Sequence, residues 1–329
     1  MLAVTVDVGT TNSRIKVIED NQILSTAKSQ VGIKDVAITG EKGILEDGLR
    51  HIIEEGLLSA GRKLDEVEFF AASGMITCNL GLLEIPHVVC PVSLNDLAKG
   101  IKKREFEWLN NKPFYFIPGV KNNVCTTTID SLEQVDVMRG EEVEVFGIME
   151  LCKIQGPALM ILPGSHTKFV FINEKNEIER CSTTMLGEFL YALTRSTILS
   201  DSVPADLISK VEEEYIVLGK KFEEKNGVTK SAFAVRLMDI SLNTTPNQRA
   251  NFLAGVLTSN DIGPKIISEI NEQYKRIYIG GSAPLKNIFK TVLENKGIDR
   301  RCINVLSDDI TDMAASTGVL KLVNHLYNK

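Results

Sequence analysis

Short apolar runs separated by polar turns open the chain, and longer stretches with helical periodicity follow them. Alternation and turn-forming residues predict a meander of three strands, at 3–8, 14–18 and 22–27. After the meander, the apolar pattern predicts a helix at 45–57, a strand at 67–72, a helix at 94–103, a strand at 114–117 and a helix at 141–152. The first half therefore has the predicted order β-β-β-α-β-α-β-α.

The second half begins with the same pattern. Strands are predicted at 158–162, 168–172 and 177–183, joined by a glycine-containing turn and a short polar turn. An offset of 155 residues aligns the two meanders without a gap. The residues identical in both copies are Ala3, Gly9, Glu19, Asn21, Ile23 and Gly32, which meet Ala158, Gly164, Glu174, Asn176, Ile178 and Gly187. The shared order of strands and turns indicates an internal repeat.

Beyond the second meander, a helix is predicted at 184–199, followed by a helical insertion at about 205–260. Pro204 and Pro246 lie near predicted helix starts in this insertion. The original order then resumes with a strand at 276–279, a helix at 284–295, a strand at 302–306 and a helix at 310–326.

Strands and helices in this order predict an α/β fold with two domains, each a mixed β-sheet flanked by helices. The predicted boundaries are 1–155 and 156–329, and the last helix packs either on the second domain or back on the first. The two domains are predicted to enclose a ligand cleft into which both glycine turns point.

Composition and charge narrow the class of protein. Apolar residues make up 43% of the 329 residues and charged residues 24%, as in soluble globular proteins. The net charge of −6 argues against a nucleic-acid partner. The chain shows neither a leader nor an apolar run of membrane-spanning length, and its six cysteines lack metal-site spacing. These features predict a cytoplasmic protein with buried free thiols, and Lys102, Lys103 and Arg104 are interpreted as a solvated helix face.

The first turn carries candidate phosphate chemistry. Gly9, Thr10, Thr11 and Asn12 combine a flexible backbone with small polar side chains that can donate to phosphate oxygens. Asp7, at the end of the preceding strand, is placed to hold a hydrated magnesium ion. The alternative is an ordinary hairpin turn with an aspartate cap.

Two segments of the second half carry related chemistry. The turn at Gly164, Ser165, His166 and Thr167, together with Lys168, offers donors for the far phosphates of a nucleotide. Gly280 and Gly281 join a strand to a helix, where bare backbone can lie against a nucleoside. The alternative for His166 is a histidine that only makes a hydrogen bond within the turn. The alternative for the glycine pair is an ordinary tight loop between a strand and a helix.

A fourth segment combines an arginine with two carboxylates at a helix start. Arg139 suits the carboxylate of a substrate, and Glu141 suits a general base, with Gly140 leaving open space in front of it. Glu142 is expected to cap the helix or face solvent, and it and Asp136 are the reserve candidates for the base. Favourable electrostatics at a helix N-terminus is the alternative explanation for the glutamates.

Taken together, these motifs resemble those of the actin, Hsp70 and sugar-kinase superfamily, whose domains have a ribonuclease H-like fold. Within it, the chain resembles the 2-dehydro-3-deoxygalactonokinase family. The resemblance covers essentially the whole chain, and its motifs are 138–142, 162–168, 185–189, 73–77 and 117–119. The chain departs from the family pattern at four places. The family commonly has tryptophan at the positions of Val8 and Phe169, and threonine at the position of Leu186. It commonly has a His-Ser pair where this chain has Arg195-Ser196. These departures leave the preferred sugar acid open.

The resemblance implies an ATP- and magnesium-dependent kinase that phosphorylates the 6-hydroxyl of a 2-keto-3-deoxy sugar acid, most simply 2-dehydro-3-deoxy-D-galactonate. It implies that Asp7 holds the metal through water, that the two turns bind phosphates and that Gly280 and Gly281 back the nucleoside. Arg139 and Glu141 act on the sugar acid. Further substrate contacts are expected from Arg14, Asn12, Ser73 and Lys168.

Two other functions stay open at this point. A filament-forming or chaperone-like ATPase of the same fold would hydrolyse ATP without a small acceptor, and a sugar-acid sensor would bind without turnover. The oligomeric state is also open, with a homo-oligomer among the expectations.

Overall fold

The computed structural model describes residues 1–204 and 206–327, and the chain divides into two compact units. The first comprises Met1–Gln155, Asn176–Cys181 and the chain from Asp312 onward. The second comprises Gly156–Lys175 and Ser182–Thr311.

The first unit contains a six-stranded sheet and a small three-stranded sheet. Its strands are β1 (Leu2–Val8), β2 (Ser13–Glu19), β3 (Gln22–Ser29), β4 (Phe69–Gly74), β5 (Val88–Val89), β6 (Lys102–Arg104), β7 (Phe114–Phe116), β8 (Val120–Lys121) and β9 (Val137–Met138). The large sheet has the order β3-β2-β1-β4-β7-β6, and the small one β5-β8-β9. Its helices are α1 (Ile33–Thr39), α2 (Gly43–Ser59), α3 (Leu94–Gly100) and α4 (Glu141–Leu151).

A five-stranded sheet with the order β12-β11-β10-β13-β14 belongs to the second unit, except that Ile178–Cys181 of its edge strand β12 group with the first unit. The strands are β10 (Ala158–Leu162), β11 (Thr167–Ile172), β12 (Ile178–Thr184), β13 (Ile277–Ile279) and β14 (Ile303–Val305). Its helices are α5 (Leu186–Ser196), α6 (Glu213–Asn226), α7 (Val228–Ser241), α8 (Pro246–Asp261), α9 (Pro264–Glu272) and α10 (Leu285–Asn295). The last helix, α11 (Asp308–Tyr327), begins here and belongs to the first unit from Asp312 onward.

Single-turn 3₁₀ helices complete the secondary structure, at Leu64–Glu66, Met75–Thr77, Glu107–Leu109, Leu132–Gln134, Ile198–Asp201 and Arg300–Cys302. Both large sheets have hydrophobic cores. In the first, Val4, Val6 and Val8 pack with Ile15 and Val17 in a core that also contains apolar side chains of α2. No helix among residues 1–204 and 206–327 is long and apolar enough to cross a membrane.

The internal repeat is confirmed at the level of topology. In both sheets, an antiparallel meander is followed by parallel strands, so that β1 corresponds to β10 and β4 to β13. Asn21 and Asn176, which align at the offset of 155, both adopt positive φ angles, 66° and 63°, in the second turn of their meander. The same local chemistry therefore builds both copies.

Several expectations about secondary structure are wrong. Lys102–Arg104 is an exposed edge strand that pairs with β7, not a helix face. Its three cations suit an edge, because charge blocks further pairing. In the described part of the insertion, which leaves out residue 205, the first helix is α6 from Glu213, so the helix start expected near Pro204 is wrong, whereas Pro246 does begin α8. Helices α1 and α9 and the small sheet were not predicted. Among the free cysteines, Cys125 is exposed and not buried.

Candidate active site

The carboxyl end of β1 brings three polar residues to one position of the first sheet. Asp7 lies opposite Arg14 of β2 and beside Ser73 of β4 in the sheet register. Because directly paired residues project to the same face of a sheet, the three side chains share one face. Asp7 and Arg14 are exposed, whereas Ser73 is buried. The structure thus brings together three residues that the sequence assigned to metal and substrate.

The turn between β1 and β2 is held by the backbone of α1. The Gly9 N–H donates to the Asn12 carbonyl at 2.8 Å, and the Lys34 N–H donates to the Thr10 carbonyl at 2.8 Å. Gly32 lies directly against this turn, because a methyl group there would be 2.5 Å from the Thr10 carbonyl oxygen. The exposed side chains of the turn are those of Thr10, Thr11 and Asn12. The carbonyls of Thr10 and Asn12 are engaged in hydrogen bonds, and the side chains of Thr10 and Thr11 are exposed. The turn can therefore offer hydroxyl donors to an anionic ligand.

Helix α4 begins against the end of β4, close to Asp7. Gly140 has a φ of +118°, which favours glycine. A methyl group on Gly140 would lie 3.2 Å from the Gly74 Cα and 4.0 Å from Asp7 Oδ1. The space that a side chain at position 140 would occupy is therefore filled by Gly74, and the open space expected in front of Glu141 stays a prediction. Glycine allows the close approach that places the N-terminus of α4 beside Asp7.

Both glutamates at the start of α4 fold back onto the backbone before them. Glu141 Oε2 accepts from the Arg139 N–H at 3.0 Å, and Glu142 Oε2 accepts from the Gly140 N–H at 2.7 Å. Glu141 is half-buried, whereas Glu142 is completely buried. Glu142 therefore caps the helix as expected, and the alternative that it faces solvent is wrong.

Burial gives Glu142 an unusual protonation state. Its Oε1 has no hydrogen-bond partner within the described chain. Desolvation, reinforced by the charge of Glu141, raises the pKa of Glu142 to about 8. The Glu142 carboxyl is therefore mostly protonated at neutral pH, and a protonated carboxyl is a poor general base.

Asp7 and Glu141 lie close enough for the charge of Glu141 to affect the pKa of Asp7. Desolvation raises the pKa of Asp7, and the Glu141 charge adds to this shift, while Arg14 acts against it. Asp7 is nevertheless exposed to solvent. A small recess of about 40 Å³ is lined by Asp7, Arg14 and Ser73.

Two further residues of this cluster were missed by sequence reasoning. Desolvation raises the pKa of Glu144 to about 7, and the charges of Glu141 and Asp7 contribute. Lys16 donates to the Asp312 carbonyl of α11, and burial lowers the pKa of its amine. The sequence did contain signals for both residues. Glu144 lies three residues after Glu141, on the same face of a helix, and Lys16 lies two residues after Arg14, on the same face of a strand.

The Arg139 guanidinium is largely engaged within the first unit. Its Nη1 donates to the carbonyl of Thr77 at 2.8 Å and to the Thr77 hydroxyl. Its Nη2 donates to the Ile85 carbonyl at 3.1 Å and lies 3.1 Å from His87 Nε2. Among the described residues, only its Nε–H has no partner. Arg139 therefore ties the 77–87 segment to the start of α4, and a substrate carboxylate would have to use Nε or displace one of these bonds.

The glycine turn of the second unit is built like that of the first. Gly187, which aligns with Gly32, lies against this turn, because a methyl group there would be 2.3 Å from the Gly164 carbonyl oxygen. The Glu188 N–H donates to the Ser165 carbonyl at 3.1 Å. A glycine after the third strand thus supports the phosphate-type turn in both units.

Side chains of this turn differ in accessibility. His166 Nε2 lies 3.0 Å from Glu188 Oε1, and both side chains are about half exposed. Ser165 is exposed, whereas Thr167 is buried and its hydroxyl has no partner within the described chain. Lys168 is also buried and donates to the Thr183 hydroxyl at 2.8 Å. The exposed Ser165 and His166 are the side chains most accessible to a ligand.

Gly280 and Gly281 follow β13 at the same sheet edge as this turn. The Gly280 N–H donates to the Ile161 carbonyl at 2.9 Å. Gly281 has a φ of +72°, and a methyl group there would lie 2.6 Å from the Pro163 carbonyl oxygen. Since β10 and β13 are parallel, the glycine pair and the turn after β10 share one edge of the sheet.

The departures from the family pattern lie in different environments. Val8 and Phe169 are buried core residues. Leu186 is also buried, in the core of the second unit, whereas the exposed Arg195 lies over the Tyr191 ring. None of the four is among the polar groups of the site described above.

The donor set near Asp7 fits a hydrated magnesium ion. Mg²⁺ prefers carboxylate oxygens, keeps several waters and is usually held by one or two carboxylates together with substrate phosphates. Asp7 is exposed and lies beside Glu141. Within the described chain, no group of three or more histidine, cysteine or acidic residues forms a closed metal cage. A water-rich site on Asp7 is therefore the kind of magnesium site that these residues support.

Comparison with known proteins gives a family and a fold. Residues 7–320 match the family described as 2-keto-3-deoxy-galactonokinase. A crystal structure of a Sinorhizobium meliloti protein assigned as a 2-dehydro-3-deoxygalactonokinase is similar with a TM-score of 0.76 at 22% identity, covering 99% of this chain and 97% of that one. A search of curated proteins gives no match.

More distant structures share the fold. The activator of 2-hydroxyisocaproyl-CoA dehydratase from Clostridium difficile, with bound ADPNP, has a TM-score of 0.54 at 12% identity, covering 100% of this chain and 97% of that one. Component A of (R)-2-hydroxyglutaryl-CoA dehydratase from Acidaminococcus fermentans has a TM-score of 0.50 at 15% identity, covering 99% and 97%. The predicted actin and sugar-kinase-like fold is confirmed.

Proposed function

The chain belongs to the 2-keto-3-deoxy-galactonokinase family, and we propose that it transfers the γ-phosphoryl group of ATP to the 6-hydroxyl of 2-dehydro-3-deoxy-D-galactonate. Membership of this family makes it an ATP-dependent sugar acid kinase, a phosphotransferase. The observation that carries the proposed chemistry is the pairing of an exposed carboxylate, Asp7, with a second carboxylate, Glu141, at a helix start.

In the proposed reaction, Glu141 accepts the proton of the acceptor hydroxyl. The hydroxyl oxygen forms a bond to the γ-phosphorus, and the bond between the γ-phosphorus and the oxygen that bridges to the β-phosphate breaks. ADP leaves with the electron pair of that bond. Asp7 would hold the magnesium ion through water, and the ion would neutralise phosphate charge. The Arg139 N–H fixes the Glu141 carboxylate in position at 3.0 Å.

The nucleotide is assigned to the glycine-containing segments. Gly9, Thr10 and Thr11 of the first turn, and Gly164, Ser165, His166 and Thr167 of the second, are proposed to bind phosphates, with Lys168 behind the second turn. Gly280 and Gly281 are proposed to back the nucleoside. Support comes from the shared construction of the two turns on Gly32 and Gly187, and from the C. difficile relative, which binds ADPNP.

The sugar acid is assigned to the face that carries Asp7. Arg14 is exposed there and makes no hydrogen bond within the described chain, whereas four of the five donors of Arg139 are engaged. We therefore favour Arg14 for the substrate carboxylate and keep Arg139 as the second candidate. Asn12 and Ser73 are proposed as neighbouring contacts.

The other functions have less support. Neither a shape-changing ATPase nor a sensor without turnover is favoured by any feature of the site, and the family is one of kinases. The predicted cytoplasmic location, the predicted absence of nucleic-acid and membrane partners and the choice of magnesium over other divalent ions stay predictions.

An acceptor panel tests the proposed reaction. We expect magnesium-dependent ADP release with 2-dehydro-3-deoxy-D-galactonate and related keto-deoxy aldonates, and little with neutral hexoses, because an arginine lies beside the proposed reaction centre. A coupled ADP assay on the purified protein, with each acceptor and without acceptor, measures this. Equal turnover of glucose and the acid would contradict the carboxylate assignment.

Matched arginine variants test which guanidinium binds the carboxylate. We expect Arg14→Met to raise the acceptor KM at least tenfold with little change in the KM for ATP. Arg139→Met is expected to lower thermal stability and kcat together, because it leaves the Thr77 and Ile85 carbonyls without their guanidinium donors and loosens the segment that leads into α4, although the backbone N–H that binds Glu141 is kept. Steady-state kinetics and thermal melts of both variants decide between them. A selective acceptor-KM defect in Arg139→Met with normal stability would return the role to Arg139.

A further inference from the structure

A cleft of about 650 Å³ lies in the first unit, at the opposite end of α4 from Glu141. Its walls are the C-terminal end of α4, one stripe of α11, the start of α3 and the turn at Asn21 between β2 and β3. Helix α4 has 11 residues, so its two ends are about 16 Å apart. The cleft is therefore separate from the site around Asp7, and its volume is in the range of pockets that bind small molecules.

The walls of this cleft are joined by close contacts between helices. Where α4 and α11 meet, a methyl group on Gly147 would lie 1.7 Å from a backbone carbonyl oxygen of α11, and one on Gly318 would lie 1.8 Å from a backbone carbonyl oxygen of α4. Glycine is required for two backbones to approach this closely. At the far end of α11, His325 Nε2 lies 3.2 Å from Asn95 Oδ1 of α3. These contacts fix the shape of the cleft before any ligand binds.

Two lysines of the cleft share a single carboxylate. Lys153 and Lys321 both donate to Glu150, one to each carboxylate oxygen. These hydrogen bonds lower the pKa of Glu150 to about 2, so its carboxylate is charged at neutral pH. With His325 neutral, the lining keeps one positive charge in excess. Each ammonium makes one hydrogen bond within the described chain, so four of its and its neighbour's six N–H donors are unused.

Neutral donors and apolar side chains complete the lining. Within the described chain, the side chains of Asn21, Thr317 and Asn324 make no hydrogen bond, and all three line the cleft. Thr317, Lys321 and Asn324 follow each other at spacings of four and three residues, so they lie on one stripe of α11. Apolar surface lies beside these donors and comes from Leu94, Leu151, Met313 and Leu320. Unused donors, excess positive charge and apolar surface together suit an organic anion.

Among organic anions, a phosphate monoester fits this donor set better than a carboxylate. A phosphoryl group has three strong acceptor oxygens and carries close to two negative charges at neutral pH. A carboxylate has two oxygens and one charge. The dianion matches the two ammonium groups of Lys153 and Lys321, of which Glu150 balances only one, and its third oxygen gives the amide donors of α11 an acceptor.

We propose that this cleft binds a phosphate monoester of about the size of a sugar phosphate. The phosphoryl group binds to Lys153 and Lys321, and the carbon skeleton lies against the leucines, with its hydroxyls toward Asn324 and Thr317. The site takes no part in the proposed kinase reaction and does not depend on it.

Calorimetric titration of the full chain with D-glucose 6-phosphate tests the proposal, with D-gluconate and D-glucose as the carboxylate and neutral probes. We expect saturable binding of one phosphate ester per chain, at least tenfold weaker binding of gluconate and no measurable binding of glucose. Lys321→Met should weaken binding of the ester at least tenfold, because a charge-assisted hydrogen bond is lost. The matched control is Lys103→Met, which changes another ion-paired surface lysine of the first unit and should bind like the wild type.

Glu150→Gln gives a test of opposite sign. It removes the competing carboxylate from both ammonium groups, so it should tighten binding of glucose 6-phosphate at least threefold, whereas a general disturbance of the cleft would weaken it. Circular dichroism checks that each variant is folded. The titrations contain no ATP, so their outcome does not bear on the kinase reaction.

Four results would overturn the proposal. They are no saturable binding of glucose 6-phosphate to the wild type, gluconate bound as tightly as the ester, weaker binding by Glu150→Gln, and equal losses in Lys321→Met and Lys103→Met. Loss of binding in Arg14→Met together with full binding in Lys321→Met would place the probe at the site around Asp7, which would also overturn it.

Discussion

Asp7→Asn is expected to lower kcat at least a thousandfold while the protein stays folded. The substitution removes one negative charge at nearly constant shape, and losing a metal-facing carboxylate typically removes several kcal/mol of transition-state stabilisation. Stability should be unchanged or slightly higher, because Asp7 lies near the carboxylates of Glu141 and Glu144. Coupled kinase assays across a magnesium titration, together with thermal melts, measure both effects.

The control for this substitution is Asp47→Asn, which changes an exposed aspartate on α2 and should leave turnover unchanged. If Asp7→Asn retained near-normal turnover at low magnesium, the first glycine turn would be structural only, and the metal assignment would fail. A defect that disappears at high magnesium would instead support weakened metal binding, as proposed.

Glu141→Gln is expected to lower kcat by roughly a hundred- to ten-thousand-fold with little change in either KM. The carboxylate is held by the Arg139 N–H and lies next to Asp7, and an amide can keep that hydrogen bond but cannot accept a proton. Single-turnover assays at saturating ATP and acceptor isolate the chemical step. The matched control is Glu142→Gln on the adjacent residue.

Glu142→Gln is expected to change kcat little, because the wild-type carboxyl is already mostly protonated at neutral pH and the amide oxygen can still accept from Gly140. The pKa of Glu142 rises from 4.5 to about 8 on folding. The folded state therefore binds more protons between these values, and wild-type stability falls as pH rises through that window. Thermal melts across this range should show a smaller fall in stability for Glu142→Gln than for the wild type.

A severe kcat defect in Glu142→Gln beside an active Glu141→Gln would show that the base is Glu142. If neither variant is impaired, the role moves to Asp136.

The sequence alone determined the features that depend on neighbouring residues. Alternation and turn residues are local, so the two meanders, their glycine turns and their repeat were predictable to within one or two residues. Asp7 and the Arg139–Glu142 segment could also be proposed as site residues, because residue type and position at the end of a strand or the start of a helix are local properties. Helix α1 was missed because its seven residues bury only Ile33 and Val36, which is too few for a periodic signal.

Tertiary structure decided what each of these groups faces. The sequence could not indicate that Gly140 approaches Gly74, that Glu142 is sealed in the interior or that Thr77 and Ile85 engage the Arg139 guanidinium, because these partners are distant along the chain. Lys102–Arg104 became a strand because β7 offered an edge, which outweighed local helix propensity. The free energies that set protonation and hydrogen bonding depend on desolvation and on charges brought close by folding, so spacing along the chain carries no information about them.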